Sequence, residues 1–455
     1  MRRPEMSRRS LIRSLAGGSI LLPGILSELL AAEPAAGERS ADGPLAAKQP
    51  HFPARAKRVI MVFATGGVSH IDTFDPKSSA KGRDGSGKDK LMGSVFPYSA
   101  NKRCGTEVSD LFPHLREAMD DICLIRSMKS AHFDHTEAAV GMHTGSPTFA
   151  RPSIGSWLSY GLGTVNQNLP SFMVIAPHLP YGGTQVYASD FLPAYHQGTR
   201  VIPGEQPIEN LAPRTPSSKI QEMELGLAAA LNRGHLQSRG DDSHLAARIK
   251  SFETAFQMQT SGPEAFDLQQ EDDRTLERYG LKRGETKSFA WQCLAARRLA
   301  ERGVRFIELV DSGSRPNWDS HGNIEEHRPL AKASDQPLAA LIRDLKDRGM
   351  FDETLIVWAT EFGRTPAKEG KNGRGHHGKC FSVWLAGGGV KRGFVYGASD
   401  EIGQEIAQDP VDVHDLHATI LHLMGIDHTR LTWRHQGRDF RLTDVHGRVL
   451  RPLLA

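Results

Sequence analysis

Arg58-Val59-Ile60-Met61-Val62-Phe63-Ala64, closed by Thr65-Gly66-Gly67, is the stretch that decides the fold class. Apolar residues follow one another from Val59 to Ala64 with no polar residue between them. A strand with one wet face alternates apolar and polar residues, so an unbroken run describes a strand buried on both faces, and the glycines mark the loop that ends it. Similar runs recur at 122–125, 172–176, 305–310, 355–359 and 381–386. Between them the spacing predicts helices over 285–302, 334–348 and 411–424. Strands alternating with amphipathic helices specify an α/β fold, with a mostly parallel central sheet sandwiched by helices.

Working outward, residues 213–283 read as a polar, helical insertion, and 78–105, rich in Lys, Gly and Ser, as a surface excursion. The N-terminus reads as an address. Ser7-Arg8-Arg9-Ser10-Leu11-Ile12-Arg13 has the paired arginines and following apolar residues of a twin-arginine signal. The apolar stretch 15–32 is interrupted by Gly17, Gly18, Pro23, Ser27 and Glu28, and is followed by small-residue cleavage sites at Ala31-Ala32 and Ala35-Ala36. The expected organisation is a signal peptide and cleavage region at 1–40, a linker at 41–56 and a single domain at 57–455. Export by the twin-arginine machinery to the periplasm or beyond is expected, with no stable membrane span after cleavage.

The 56 basic and 53 acidic residues nearly cancel, to +3, which argues against a nucleic-acid partner or a membrane surface. Four scattered cysteines, Cys104, Cys123, Cys293 and Cys380, are too few for a disulfide scaffold or a zinc module, and leave room for one bridge such as Cys104 to Cys123. The compositional oddity is the 20 histidines. Imidazole is a common metal ligand, so their placement matters more than their number.

In an open α/β sheet, ligands bind beyond the carboxyl ends of the strands. The loops expected there carry Ser69-His70-Ile71-Asp72, then His132-Phe133-Asp134-His135-Thr136-Glu137, then Asn317-Trp318-Asp319-Ser320-His321, then Thr360-Glu361-Phe362-Gly363-Arg364. Gly375-His376-His377-Gly378 precedes the run at 381. Any one of these is an ordinary solvated loop or a helix cap; five together point to a metal site. Imidazole mixed with carboxylate suits zinc, manganese or iron better than calcium or magnesium. The candidate ligands are Asp72, His132, Asp319, His321, Glu361, His376 and His377. Neighbours in an extended loop point opposite ways, so one of His376 and His377 is expected to ligate. Arg364 is a candidate for an anionic group, which guanidinium matches bidentately, with a salt bridge as the competing role.

The segments RVIMVFATGGVSHIDTFDPK, FDHTEAAVGMHTG, FLPAYHQGTR, NWDSHGN, ATEFGRTP, GHHGKCFSVWLAGGGVKRG, VHDLHATILHLMGIDH and TWRHQGRDFRLTDVHG, in that order, resemble a bacterial family named only as domain of unknown function 1501. The likeness runs from about Arg58 to Val449. That family is similar to the sulfatases and alkaline phosphatases, so the resemblance implies an alkaline-phosphatase-like sheet and hydrolysis of a phosphate or sulfate ester. Glu361 and Phe362 stand where the sulfatase strand is followed by aspartate and histidine. The Cys-x-Pro-Ser-Arg core is absent, which argues against a formylglycine mechanism. Thr136 is the nearest hydroxyl to the expected nucleophile, with His132 or His135 to activate it or to bind metal. Asn317 and His321 resemble an Asp-x-x-x-His ligand pair, with Asn317 replacing the aspartate and Asp319 or Asp311 available. His377 resembles the final histidine ligand. Thr65-Gly66 replaces the aspartate expected after the first strand, leaving Asp72 as a displaced candidate. The resemblance implies an exported, metal-dependent hydrolase of a small-molecule or polysaccharide ester. The alternative is a non-catalytic descendant that binds an envelope ligand. The motif at 191–198 has no role derivable from its residues.

Overall fold

In the computed structural model, which describes residues 45–78, 90–208, 218–239, 243–311, 313 and 317–455, the run after Lys57 is strand β1 (Arg58–Phe63). The other strands of the central sheet are β2 (Ile122–Lys129), β3 (Phe172–Ile175), β4 (Thr199–Val201), β5 (Phe306–Val310) and β6 (Thr354–Ala359). After β6 comes a two-stranded ribbon, β7 (Gly363–Glu369) and β8 (Gly373–His377), and the sheet resumes with β9 (Phe381–Gly387), β10 (Phe394–Tyr396) and β11 (Val411–Asp412). The order across the sheet is β10-β2-β9-β6-β1-β5-β3-β4, with β11 beside β2. Every neighbouring pair is parallel except those of β9, which runs antiparallel to both β2 and β6.

The helices that flank the sheet are α1 (His135–Thr144), α2 (Ile154–Leu162), α5 (Phe289–Glu301), α6 (His327–Asp347) and α7 (Val413–Leu423). Between α2 and α5 lie α3 (Ser218–Arg239) and α4 (Ser243–Phe266). The unbroken apolar run of β1 divides between two layers because successive side chains leave a strand on opposite faces. Ile60 and Val62 pack with Leu294 and Leu299 of α5 and Leu338 and Leu341 of α6. Val59, Met61 and Phe63 pack with Met142 of α1, Leu158 of α2 and Leu416 and Ile420 of α7. Helix starts follow side-chain caps: Asp134 for α1, Ser153 for α2, Ser288 for α5, and an Asp412/Asp415 capping box for α7. Helix α6 begins at His327, seven residues before the start its apolar spacing predicts, after Glu326, whose side chain makes no cap hydrogen bond.

All four cysteines are free thiols, so the bridge left open between Cys104 and Cys123 is not made. Residues 1–44, which hold the expected signal, lie outside the described residues. Among the described residues no helix is long and apolar enough to cross a membrane. Two residues of the motif at 191–198 have partners that its sequence did not reveal. Phe191 packs on His435 and Phe440, and His196 is buried, with Nδ1 2.8 Å from the Ser159 hydroxyl. Burial pushes His196 down to about 3, so it is neutral and serves the packing of α2.

Candidate metal centre

The reversed direction of β9 is what assembles the site. The residues that follow β2, β5 and β6 and those that precede β9 all reach the same edge of the sheet. His135 arrives as the first residue of α1, Asp319 and His321 from the loop after β5, Glu361 directly after β6, and His376 from β8 just ahead of β9.

Three imidazoles converge there on one carboxylate oxygen. Asp319 Oδ1 lies 3.2 Å from His135 Nε2, 3.0 Å from His321 Nε2 and 3.3 Å from His376 Nε2. His321 Nε2 and His376 Nε2 are themselves 2.8 Å apart. The far nitrogen of each ring is committed to an acceptor. His135 Nδ1–H donates to Glu361 Oε1 at 2.8 Å, His321 Nδ1–H to Glu369 Oε1 at 2.9 Å, and His376 Nδ1–H to the Phe133 carbonyl at 2.8 Å. A neutral imidazole holding its proton on Nδ1 bears its lone pair on Nε2. Three lone pairs and the Arg364 guanidinium therefore share one carboxylate oxygen, and the close approach of the His321 and His376 nitrogens requires a cation or an extra proton between them.

The geometry fits a metal. Ligand atoms about 2.0–2.1 Å from a tetrahedral zinc ion stand about 3.3 Å from one another, close to the spacings between Asp319 and the three rings. His135, Asp319 and His376 offer atoms all within 4.8 Å of one another. Buried His135 Nε2 lies near Asp319 but is misaligned with it and makes no hydrogen bond. Burial opposes charge on His135, but Asp319 and Glu361 outweigh it and raise the ring to about 9, so in the absence of a metal it carries a proton. Glu361 is fully buried, and its Oε1 also accepts from the Gly66 N–H at 2.7 Å, so it orients His135 in the way carboxylates orient metal-bound histidines. The ring of Tyr181 stacks on His135 at 4.2 Å, and Phe362 lies 4.7 Å from both His135 and His376. His321 is 39% exposed in its side chain and Asp319 24%, so the centre opens to solvent on their side.

Five other candidates take other roles. Asp72 is fully buried against Arg374, 2.6 Å from its Nε, and also accepts from the Ser69 hydroxyl and the Val95 N–H, so it is a structural carboxylate with its oxygens occupied. His377 points to the opposite side of β8 from His376, as strand alternation requires; its Nε2 donates to the Gln404 carbonyl at 2.6 Å and its ring stacks on His70. No side-chain hydrogen bond joins His132 to the cluster among the described residues; the neighbouring Phe133 contributes only its carbonyl. Arg364 is fully buried and spends its donors on the carbonyls of Gly66, Gly67 and Arg374 and on Asp319. It braces the cluster and has no face free for an external anion. Thr136 is exposed, and its described bond is a backbone one, to the Asp134 cap. Of the remaining candidates by resemblance, Asn317 donates to the Tyr181 hydroxyl and accepts from the Asp319 N–H, and Asp311 accepts from the Trp318 indole.

From residue 56 to residue 454 the sequence matches the family described as protein of unknown function, DUF1501. The chain belongs to the DUF1501 family. No curated protein matches it. Among solved structures, this DUF1501 chain is similar to the lipoteichoic acid synthase LtaP from Listeria monocytogenes, at 9% identity and a TM-score of 0.37, over 88% of this chain and 78% of that one. It is similar to a protein in the alkaline phosphatase superfamily from Vibrio parahaemolyticus, at 12% identity and a TM-score of 0.36, over 84% and 70%. A third is the alkaline phosphatase of the Antarctic bacterium TAB5, at 12% identity and a TM-score of 0.31, over 74% and 92%.

Two parts of the DUF1501 centre escaped the sequence reading. Glu369, which holds His321, sits far along the β7/β8 ribbon, outside any loop directly after a sheet strand. Tyr181 belongs to the connection after β3, where nothing but its aromatic character marks it. The Gly66-Gly67 pair, by contrast, has a clear reason. A Cβ on Gly66 (φ +110°) would stand 2.6 Å from the Trp318 nitrogen, and one on Gly67 (φ +70°) 2.4 Å from the Phe362 ring. Replacing Gly67 by alanine is therefore expected to cost at least about 1–3 kcal/mol and to push Phe362 toward His135 and His376. Chemical denaturation measures the loss; a variant as stable as the wild type would contradict this packing.

Proposed function

We propose that this chain is an exported, metal-dependent hydrolase of phosphate or sulfate esters, with one divalent ion held by His135, Asp319, His321 and His376. The observation that carries the reading is the convergence of three Nε2 lone pairs on Asp319 Oδ1, each ring fixed from behind by an acceptor. Three nitrogens and one carboxylate oxygen suit zinc, manganese or iron. The ion would supply Lewis acidity at an ester oxygen and a lowered pKa for the attacking hydroxyl or water. The chain contributes the rest. Glu361 and Glu369 keep His135 and His321 in the tautomer that leaves Nε2 free, and Arg364 holds Asp319 in place. Export rests on the paired arginines of Ser7-Arg8-Arg9-Ser10.

The observation favouring the non-catalytic reading is Thr136. Its exposed hydroxyl forms no hydrogen bond with the cluster among the described residues, so Thr136 does not stand paired with a base. Under the hydrolase reading the attacking group is accordingly water. The test is hydrolysis of p-nitrophenyl phosphate and p-nitrophenyl sulfate by protein loaded with zinc or manganese. Turnover that disappears with chelation and returns with metal, and that survives Thr136→Ala, is expected. A metal-loaded protein that turns over neither ester, nor other phosphate and sulfate esters, would leave the binding reading in its place.

A further inference from the structure

Helix α1 ends at Gly145, and the chain beyond it meets a second ribbon, β12 (Trp433–His435) and β13 (Arg438–Phe440), around a cleft of about 340 Å3. The helix has ten residues, so the cleft lies about 15 Å along its axis from His135. Three arginines line the cleft, Arg151, Arg438 and Arg441, against one carboxylate, Asp444.

These arginines are held in place by the protein itself. Asp444 adopts the left-handed conformation, φ +45°, which is uncommon outside glycine. In that conformation its carboxylate pairs with Arg438 while its carbonyl accepts from Arg441 Nε. Strained residues of this kind persist where the surroundings over-determine them, often at ligand sites. The Arg151 guanidinium lies on the Phe440 ring, 4.3 Å from its centroid, and Arg438 reaches the same ring at 4.9 Å. Among the described residues Arg151 forms no ion pair; Asp190 feels its charge from beyond pairing distance. Beside Arg151, Phe149 is 68% exposed, with its backbone N–H tied to the Ser146 hydroxyl. The cleft thus combines surplus guanidinium charge, one planar fork without a carboxylate, and a large aromatic face turned to solvent.

We infer that this cleft binds a ring-bearing oxyanion, with a phosphate, sulfate or carboxylate group between Arg151 and Arg441 and its ring against Phe149. Guanidinium matches such groups bidentately, and an exposed aromatic at the rim has a use once a ring covers it. The site is separate from the metal centre and stands whether or not the chain is a hydrolase.

The test uses calorimetric titration of the full chain carrying His321→Ala and His376→Ala in the presence of a chelator, so that the metal centre cannot report. Phenyl phosphate is the probe, with inorganic phosphate and phenol as controls. Phenyl phosphate should bind, more tightly than inorganic phosphate, while phenol should not. Arg151→Ala should weaken it by roughly tenfold or more, and Arg151→Glu further, in proteins that remain folded by circular dichroism although the stacking on Phe440 is lost. Phe149→Ala should bring phenyl phosphate down to the affinity of inorganic phosphate. Absence of phenyl phosphate binding, affinity unchanged by both Arg151 substitutions, or phenol binding as well as phenyl phosphate would each overturn the inference. The same arms run with phenyl sulfate and benzoate identify which oxyanion the cleft prefers.

Discussion

Alanine at His376 is expected to abolish binding of the proposed divalent ion, whereas alanine at His377, the next residue in the chain, leaves that binding intact. The two side chains leave β8 on opposite sides. His376 Nε2 stands 3.3 Å from Asp319 and 2.8 Å from His321, while His377 Nε2 is engaged by the Gln404 carbonyl. Removing even an outer partner of a metal ligand costs 10–100-fold in affinity, so losing a ligand should cost at least about 100-fold. Competition against a chromophoric zinc chelator measures both variants on one scale. Equal losses at the two positions would mean that the ion, if bound, is held by a different set of atoms.

The second large effect falls on stability. Asp72 and Arg374 are both fully buried, and Asp72→Asn leaves the guanidinium without its counter-charge, which should cost about 3–5 kcal/mol. Burial alone would raise the Asp72 carboxyl; Arg374, the Ser69 hydroxyl and the Val95 N–H outweigh it and hold the group below the usual carboxylate range. A depressed folded-state pKa contributes stability above the unfolded value, about 3.9, and that contribution is lost as the pH falls through the folded value. The wild type should therefore lose stability below about pH 4 by a component that Asp72→Asn lacks. Urea unfolding at neutral and acidic pH measures both. If Asp72 were a metal ligand instead, the substitution would remove the ion and spare the apo-protein, and the two outcomes are separated by measuring stability with chelator present.

How much of this could be read from the sequence depended on whether a residue's role came from its own strand or from a distant partner. The sheet was legible because runs such as 58–64 and 355–359 are apolar without interruption, and burial on both faces leaves that trace directly. The β7/β8 ribbon was not, because GRTPAKE and GRGHH have no apolar period; tertiary partners hold it, chiefly Arg374 on Asp72 and Arg364 on the Gly66-Gly67 loop. The same limit governed the site. Carboxylates and histidines at strand ends were visible as a pattern, and His135, Asp319, His321, Glu361 and His376 do meet. Asp72 and His377 have the same residue types in equally plausible loops, and only the position of Arg374 and the facing of β8 remove them. Glu369 was missed because its contact with His321 closes 48 residues of intervening chain through a ribbon whose pairing left no local signal.

The metal centre requires that a single ion occupy the space between the three Nε2 atoms and Asp319. Anomalous diffraction from crystals of the zinc-loaded protein, recorded on both sides of the zinc absorption edge, decides it. One strong peak is expected about 2.0–2.2 Å from the Nε2 atoms of His135, His321 and His376 and from Asp319 Oδ1. No peak at that position, with the imidazoles hydrogen-bonded to Asp319 at full zinc loading, would contradict it.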